Sequence, residues 1–173
     1  MKKLKKIGFG GGCHWCTEAV FQSLKGVDTV KQGWIASKGE HLAFSEAVIV
    51  DYNPAIIPLE VLIEIHLHTH KSTSENSMRE KYRSAIYVFN DEQEADVRAK
   101  LMILQEKFEN KLITQVLHFS EFKPSREQIR NYFYNNPKKP FCNTFINPKL
   151  QFLIKNYRRY INKKLFEVST ADK

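Results

Sequence analysis

The sequence predicts an α+β sandwich, a ferredoxin-like split β-α-β arrangement in which helices cover one face of a mostly antiparallel sheet. Three observations carry that expectation. Short β-rich runs alternate with helical apolar spacing in the order β-α-β-β-α-β, then α-β and a less regular end, and glycine or proline marks several of the joints. At 173 residues the chain is long enough for one domain with a real core and short for two.

Ile7 to Phe9 is a short apolar run ended by glycine, which predicts a buried strand. From His14 the positions Trp15, Ala19, Val20 and Leu24 keep helical spacing, and Gly26 stops that helix. Val27 to Ile35 returns to strand character, residues 39–41 turn, and Ala47 to Tyr52 is a second β-rich run before Pro54. Pro58 suits a helix first turn, with Leu59, Leu62, Ile63 and His66 as its stripe. Residues 71–81 are polar and irregular. Ser84 to Phe89 then predicts a strand, Asp91 the cap of a helix to about Glu109, and Thr114 to Phe119 a further strand. Residues 1–173 therefore read as a single domain: a core over 7–142 and a basic helical extension over 143–173.

The formal charge is +8, which suggests nucleic acid until it is divided along the chain. Residues 1–6 carry four lysines and residues 149–173 carry a net +5, leaving residues 7–148 one unit negative. Basicity belongs to the ends, so no nucleic-acid partner is expected. No segment approaches the roughly 18 apolar residues of a membrane span, and the basic start runs into glycine before an apolar leader core can form. Three cysteines, two of them in Cys-x-x-Cys spacing, do not make a secreted disulfide framework. A cytoplasmic, monomeric protein is the expectation.

The stretch Ile7 to Phe21, "IGFGGGCHWCTEAVF", sets Gly10, Gly11 and Gly12 before Cys13 at the start of a helix. Unspent N–H groups at a helix N-terminus stabilise a thiolate, and glycines let the backbone present them closely while leaving space above the sulfur. Cys13 is better placed for this than Cys16, one turn inward. A redox dithiol, half a metal site and a single activated thiol all remain open on these residues. Zinc would need two more ligands, and Cys142 with a histidine is the nearest supply, at no zinc-finger spacing. Covalent haem attachment wants histidine where Thr17 stands.

"GGCHWCTEAVFQSLKGV", Gly11 to Val27, resembles the active-site segment of the peptide methionine sulfoxide reductase A family, Gly-Gly-Cys-Phe-Trp-x-x-Glu followed by Gly-Val after one helix. The resemblance continues through "GW" at 33–34, "SEAVIVDYNP" at 45–54, "KYRSAIY" at 81–87 and "NNPKKPFC" at 135–142. It implies reduction of the S epimer of methionine sulfoxide, free or in peptides and proteins, with Cys13 as nucleophile and a sulfenic acid left on it. It implies Glu46 as the acid that protonates the sulfoxide oxygen and Tyr82 as a hydrogen-bond donor to that oxygen. Trp15 becomes a wall for the S-methyl group, with Gly12, His14 and Trp34 also at the substrate. Cys142 or Cys16 would resolve the sulfenic acid into a disulfide that thioredoxin or another dithiol reduces, with no metal or organic cofactor. A general dithiol oxidoreductase on Cys13 and Cys16, or a degenerate binding module for a methionine-like side chain, are the rival readings.

Several residues depart from the family pattern. His14 stands where an aromatic wall precedes the tryptophan, Trp34 replaces a second tyrosine, and the aspartate upstream of Tyr82 has only Ser77 or Glu75 as a counterpart. "QIR" at 128–130 replaces a Tyr-His-Gln block. Without the resemblance, Glu46 reads as a solvated strand carboxylate, and Trp15 and Tyr82 as core or rim aromatics. His66, His68 and His70 look like a metal comb, yet on a helix only the first and last share a face, so surface or partly packed histidines are expected. Leu150, Leu153, Ile154, Tyr157, Ile161 and Leu165 predict one helical stripe that docks on its own domain.

Overall fold

The computed structural model describes residues 3–75, 79 and 81–171. Six strands form one sheet: β1 (Lys5–Gly10), β2 (Val27–Ala36), β3 (Ser45–Tyr52), β4 (Ala85–Val88), β5 (Gln115–His118) and β6 (Glu121–Pro124). Their order is β5-β4-β1-β3-β2-β6, so the central four strands follow the split β-α-β pattern. Every pairing is antiparallel except β4 with β5, which is parallel. A parallel neighbour requires a crossover, and helix α3 (Asp91–Leu104) supplies it.

Helices α1 (His14–Gln22) and α2 (Leu59–Thr69) cover the face of the sheet that presents Ile7, Phe9, Val48, Val50 and Ile86. The other face carries a smaller cluster of Ile35, Ala47, Ile49, Ala85 and Tyr87, partly covered by Phe89, Leu117 and Phe122. Because both faces of β3 are packed, it reads as a near-continuous apolar run with no alternation to polar residues. That burial places Glu46, one residue into β3, inside the protein: it is 6% exposed.

Four expectations are corrected. The cap of α3 is Asn90, whose side chain accepts from the Gln93 N–H at 2.7 Å, so Asp91 is the first helical residue and lends its charge to the dipole. The α-helix ends at Leu104, followed by a 3-10 turn to Lys107, because the Gln105 side chain turns back to bond Leu112 N and Asn110 O. Strand β6 was not expected: it is four residues long and mostly exposed, and pairing with the edge of β2 makes it a strand. His66 is 1% exposed, sealed by Phe9, Phe21 and His70, and burial pushes its pKa well below the usual imidazole range.

The C-terminal stripe is two helices, α5 (Asn147–Asn156) and α6 (Lys163–Ala171), with a short helix α4 (Tyr132–Asn135) before them. The break at Tyr157 lets Ile161 bridge Leu24, while Lys25 N bonds Tyr160 O and Asn162 N bonds Ser23 O. These bonds occupy backbone groups at the end of α1. Leu150, Leu153, Ile161 and Leu165 are all buried, so the stripe docks on its own domain as expected. Each such side chain contributes about 1.5–3 kcal/mol of burial. Among the described residues, no helix is long and apolar enough to cross a membrane.

Candidate active site

Strand β1 delivers the chain into the glycine turn. Gly11 has φ +155°, and a Cβ there would lie 2.4 Å from the His70 ring, so both backbone and space demand glycine. At Gly12 a Cβ would meet nothing within 4 Å; it faces open space. The Gly11 carbonyl accepts from Arg79, which also donates to the carbonyls of Tyr82, Ser74 and Lys71. One guanidinium thus ties Lys71, Ser74 and Tyr82 to the glycine turn, and its donors are spent on backbone oxygens.

Cys13 is the cap residue of α1, with φ −58° and ψ 129°, and its carbonyl accepts from Cys16 N at 3.1 Å and Thr17 N at 3.2 Å. A hydrogen bond from the Cys16 thiol pulls the Cys13 pKa below the ordinary thiol value, aided by the N–H groups of Trp15 and Cys16 and opposed by burial and the charge of Glu46. The same hydrogen bond, with burial and the Cys13 charge, pushes Cys16 far up. Of the pair, Cys13 therefore gives up its proton the more readily and Cys16 the less. Cys142 is fully buried in a π-helical turn (Cys142–Ile146), its Sγ 3.2 Å from Asn136 O, and burial raises its pKa.

A cavity of about 470 Å³ opens over Cys13, with Gly12, Cys16, Tyr82, Phe141 and Phe145 among its walls. Cys13, Cys16, Gly12 and Tyr82 thus line one cavity. Glu46, His14 and Trp34 do not line that cavity but cluster beside it, with Glu46 bonded to the residue after Cys13 and close enough for its charge to act on that sulfur. Glu46 Oε1 accepts from His14 N at 3.2 Å and lies 3.4 Å from His14 Nε2; its Oε2 lies 3.7 Å from Lys81 Nζ. His14 Nδ1 donates to Gly33 O at 2.9 Å, the ring meets Trp34 edge-on, and burial lowers its pKa. Trp34 sits opposite Glu46 in the β2–β3 register. Trp15 is stacked flat on Tyr132, centroids 4.1 Å apart, with Phe141 edge-on, and also lies outside the cavity wall.

Several neighbours of the site escaped the sequence. Tyr132 holds Trp15, and it is itself held because Glu18, 1% exposed, accepts from Asn131 N, Tyr132 N and Gln32 Nε2. His70 backs the glycine turn, bonding Ser84 Oγ and His66 O, and burial takes its pKa down to about 4. Lys149 reaches from α5 to the Thr69 carbonyl at the edge of the cavity. Glu75, one proposed counterpart of the missing aspartate, lies with Arg79 and Arg83 at a different cavity; Ser77, the other, lies outside the described residues. Among the described residues, the cysteines belong to no group of three side chains close enough to share an ion. The group that does exist, Asp91, Glu94 and His118, sits on α3 and β5.

Comparison with known proteins bears on this arrangement. The sequence model of the family described as peptide methionine sulfoxide reductase matches residues 5–161. Peptide methionine sulfoxide reductase MsrA of Pasteurella multocida is 35% identical over 155 residues, covering 82% of this chain and 89% of the relative. The crystal structure of Mxr1 from Saccharomyces cerevisiae in reduced form superposes with a TM-score of 0.72 at 25% identity, over 83% of this chain and 91% of that one. The structure of Mxr1 in complex with Trx2 shares the fold, with a TM-score of 0.60 at 24% identity over 73% and 84% of the two chains.

Proposed function

The chain belongs to the peptide methionine sulfoxide reductase family, and from that premise we propose that it reduces the S epimer of methionine sulfoxide, free or in peptides, through a sulfenic acid on Cys13. The observation that carries this reading is the thiol itself: Cys13 caps a helix, has its pKa lowered by donors around it, and opens onto a cavity.

The Cys13 thiolate attacks the sulfoxide sulfur while the sulfoxide oxygen takes a proton from Glu46. The S–S bond so formed and the substrate S–O bond then break as the oxygen passes to the Cys13 sulfur: methionine leaves with two more electrons on its sulfur, and Cys13 keeps the oxygen as S–OH. The proton lost by the Cys13 thiol restores Glu46, so thiol plus sulfoxide becomes sulfenic acid plus thioether. Tyr82, at the cavity wall, donates to the oxygen in flight, and Trp15, edge-on to the cavity-lining Phe141, shelters the S-methyl group from behind that wall.

Cys16 is the first resolving thiol in this scheme. Its proton is held by the negative sulfur of Cys13, and that hold ends when Cys13 becomes a neutral sulfenic acid. Attack by Cys16 on Cys13 Sγ then expels water and forms the disulfide. Cys142, close enough for its charge to act on Cys16, is the second thiol in line. Thioredoxin, or another dithiol, accepts the disulfide and restores the pair; a reducing cytoplasm is the compartment that supplies it. The scheme balances on thiols alone and draws on no metal or organic cofactor.

Single-turnover consumption of the S and R epimers of a blocked methionine sulfoxide by the reduced protein tests the reading. Methionine from the S epimer only, lost in Cys13→Ser, is the expected result. Disulfide exchange on a model substrate with no sulfoxide consumed would replace it with the dithiol oxidoreductase.

A further inference from the structure

Position 14, an aromatic wall in the family pattern, is histidine here, and the structure gives its imidazole one hydrogen-bond partner, the Gly33 carbonyl, and one close acidic neighbour, Glu46. The Gly33 carbonyl can only accept, so the hydrogen sits on Nδ1, and the neutral ring presents a lone pair at Nε2. That lone pair lies 3.4 Å from Oε1 of Glu46, and the two side chains are only 5% and 8% exposed. The charged and titratable groups facing the pair are Lys81, 3.7 Å from the other carboxylate oxygen, and Cys13 at the head of α1. Trp34, packed from β2, brings a ring edge and no charge.

We propose that His14 acts through Glu46 as a positioning residue: one proton is shared between Oε1 and Nε2, and this shared proton is the one delivered to the sulfoxide oxygen. The inference rests on reading Glu46 as the acid of the reduction. Two sites that share one proton give it up at a higher pH than either would alone, because both placements count as bound. The balance is that of the reduction itself: the proton leaves the pair for the oxygen as the S–O bond breaks, and the Cys13 proton refills the pair.

The test is the pH dependence of single-turnover methionine formation in the wild type, His14→Phe and His14→Gln. Phenylalanine restores the family's aromatic, and glutamine keeps a polar partner without a titrating nitrogen. Both variants should lose rate at an alkaline limb displaced downward by about one pH unit or more. Cys13 alkylation over the same range separates a change in the thiol from a change in the acid. Nitrogen chemical shifts of the His14 ring, read in the whole chain with and without Glu46→Gln, give a readout that needs no turnover: Nε2 should move when Glu46 is replaced. Coincident alkaline limbs in all three proteins, or an Nε2 shift indifferent to Glu46→Gln, would overturn the shared proton. A wild type that forms no methionine, with His14 still responding to Glu46 in the spectrum, would overturn the reductase reading alone.

Discussion

At the head of α1 the backbone leaves N–H groups free to meet a thiol; at residues 142–146 the chain is already helical, and the thiol there is enclosed. Cys13 sits in the first setting, with N–H groups of Trp15 and Cys16 and the Cys16 thiol aimed at its sulfur. Cys142 sits in the second, inside a helical run that continues into α5, and its Sγ meets the Asn136 carbonyl. The pKa of the first is lowered and that of the second raised. The same residue type is thus poised or shielded according to where the backbone spends its donors.

The comparison breaks first under substitution. Cys13→Ser should take single-turnover methionine formation to the uncatalysed background, whereas Cys142→Ser should keep the first turnover; equal losses would erase the distinction. Alkylation of the native reduced protein at neutral pH, mapped by mass spectrometry, should mark Cys13 about a hundredfold faster than Cys142, since thiolate fraction and access both favour it. Comparable rates at the two sulfurs would mean that the buried turn opens as readily as the cavity.

Acid sharpens the comparison, because only the α1 side leans on a buried imidazole. His70 behind the glycine turn has its pKa at about 4 in the fold against 6.5 unfolded, so the unfolded chain binds the proton first as pH falls. Its contribution is complete above pH 6.5 and is lost on descending to about pH 4, a span worth about 3 kcal/mol. Denaturant unfolding of wild type and His70→Asn across that window should show the steeper acid slope in the wild type; parallel slopes would remove His70 from the account.

The smallest effects come from the glycines. Gly11→Ala should cost about 1–3 kcal/mol of stability through its φ and the His70 ring. Gly12→Ala, whose added methyl enters open space, should leave the melting temperature nearly unchanged and raise KM for the sulfoxide instead. Reversal of that order would show that the open space over Gly12 is not where substrate goes.

The elements that were legible in advance are those whose signals are local. The run Ile7–Phe9, the stripe from Trp15 to Leu24 and the β-rich 47–52 stretch are each readable from neighbouring residues, and they are the strands and helix that put Cys13 where it is. Strand β6 carries no such signal, and exists because β2 offers an unpaired edge. The cap of α3 was one residue off because Asn90 and Asp91 are both good caps, and only the geometry at Gln93 N separates them.

The candidate site divides the same way. Three glycines before a cysteine at a helix start point to thiol chemistry of some kind, and the blocks around Glu46 and Tyr82 are recognisable in one dimension. Arg79 gives no such notice: its partner Gly11 is 68 residues away, and a lone arginine in a polar segment looks solvated. Tyr132 stacked on Trp15, Glu18 holding Tyr132, and His70 behind Gly11 are likewise contacts between distant segments. The sequence alone determined which sulfur begins the helix and which strands carry it, since turn chemistry and apolar period act over a few residues. Only the tertiary structure decided which side chains surround that sulfur and where the His14 imidazole points, because burial and hydrogen-bond partners exist only once remote segments share one interior.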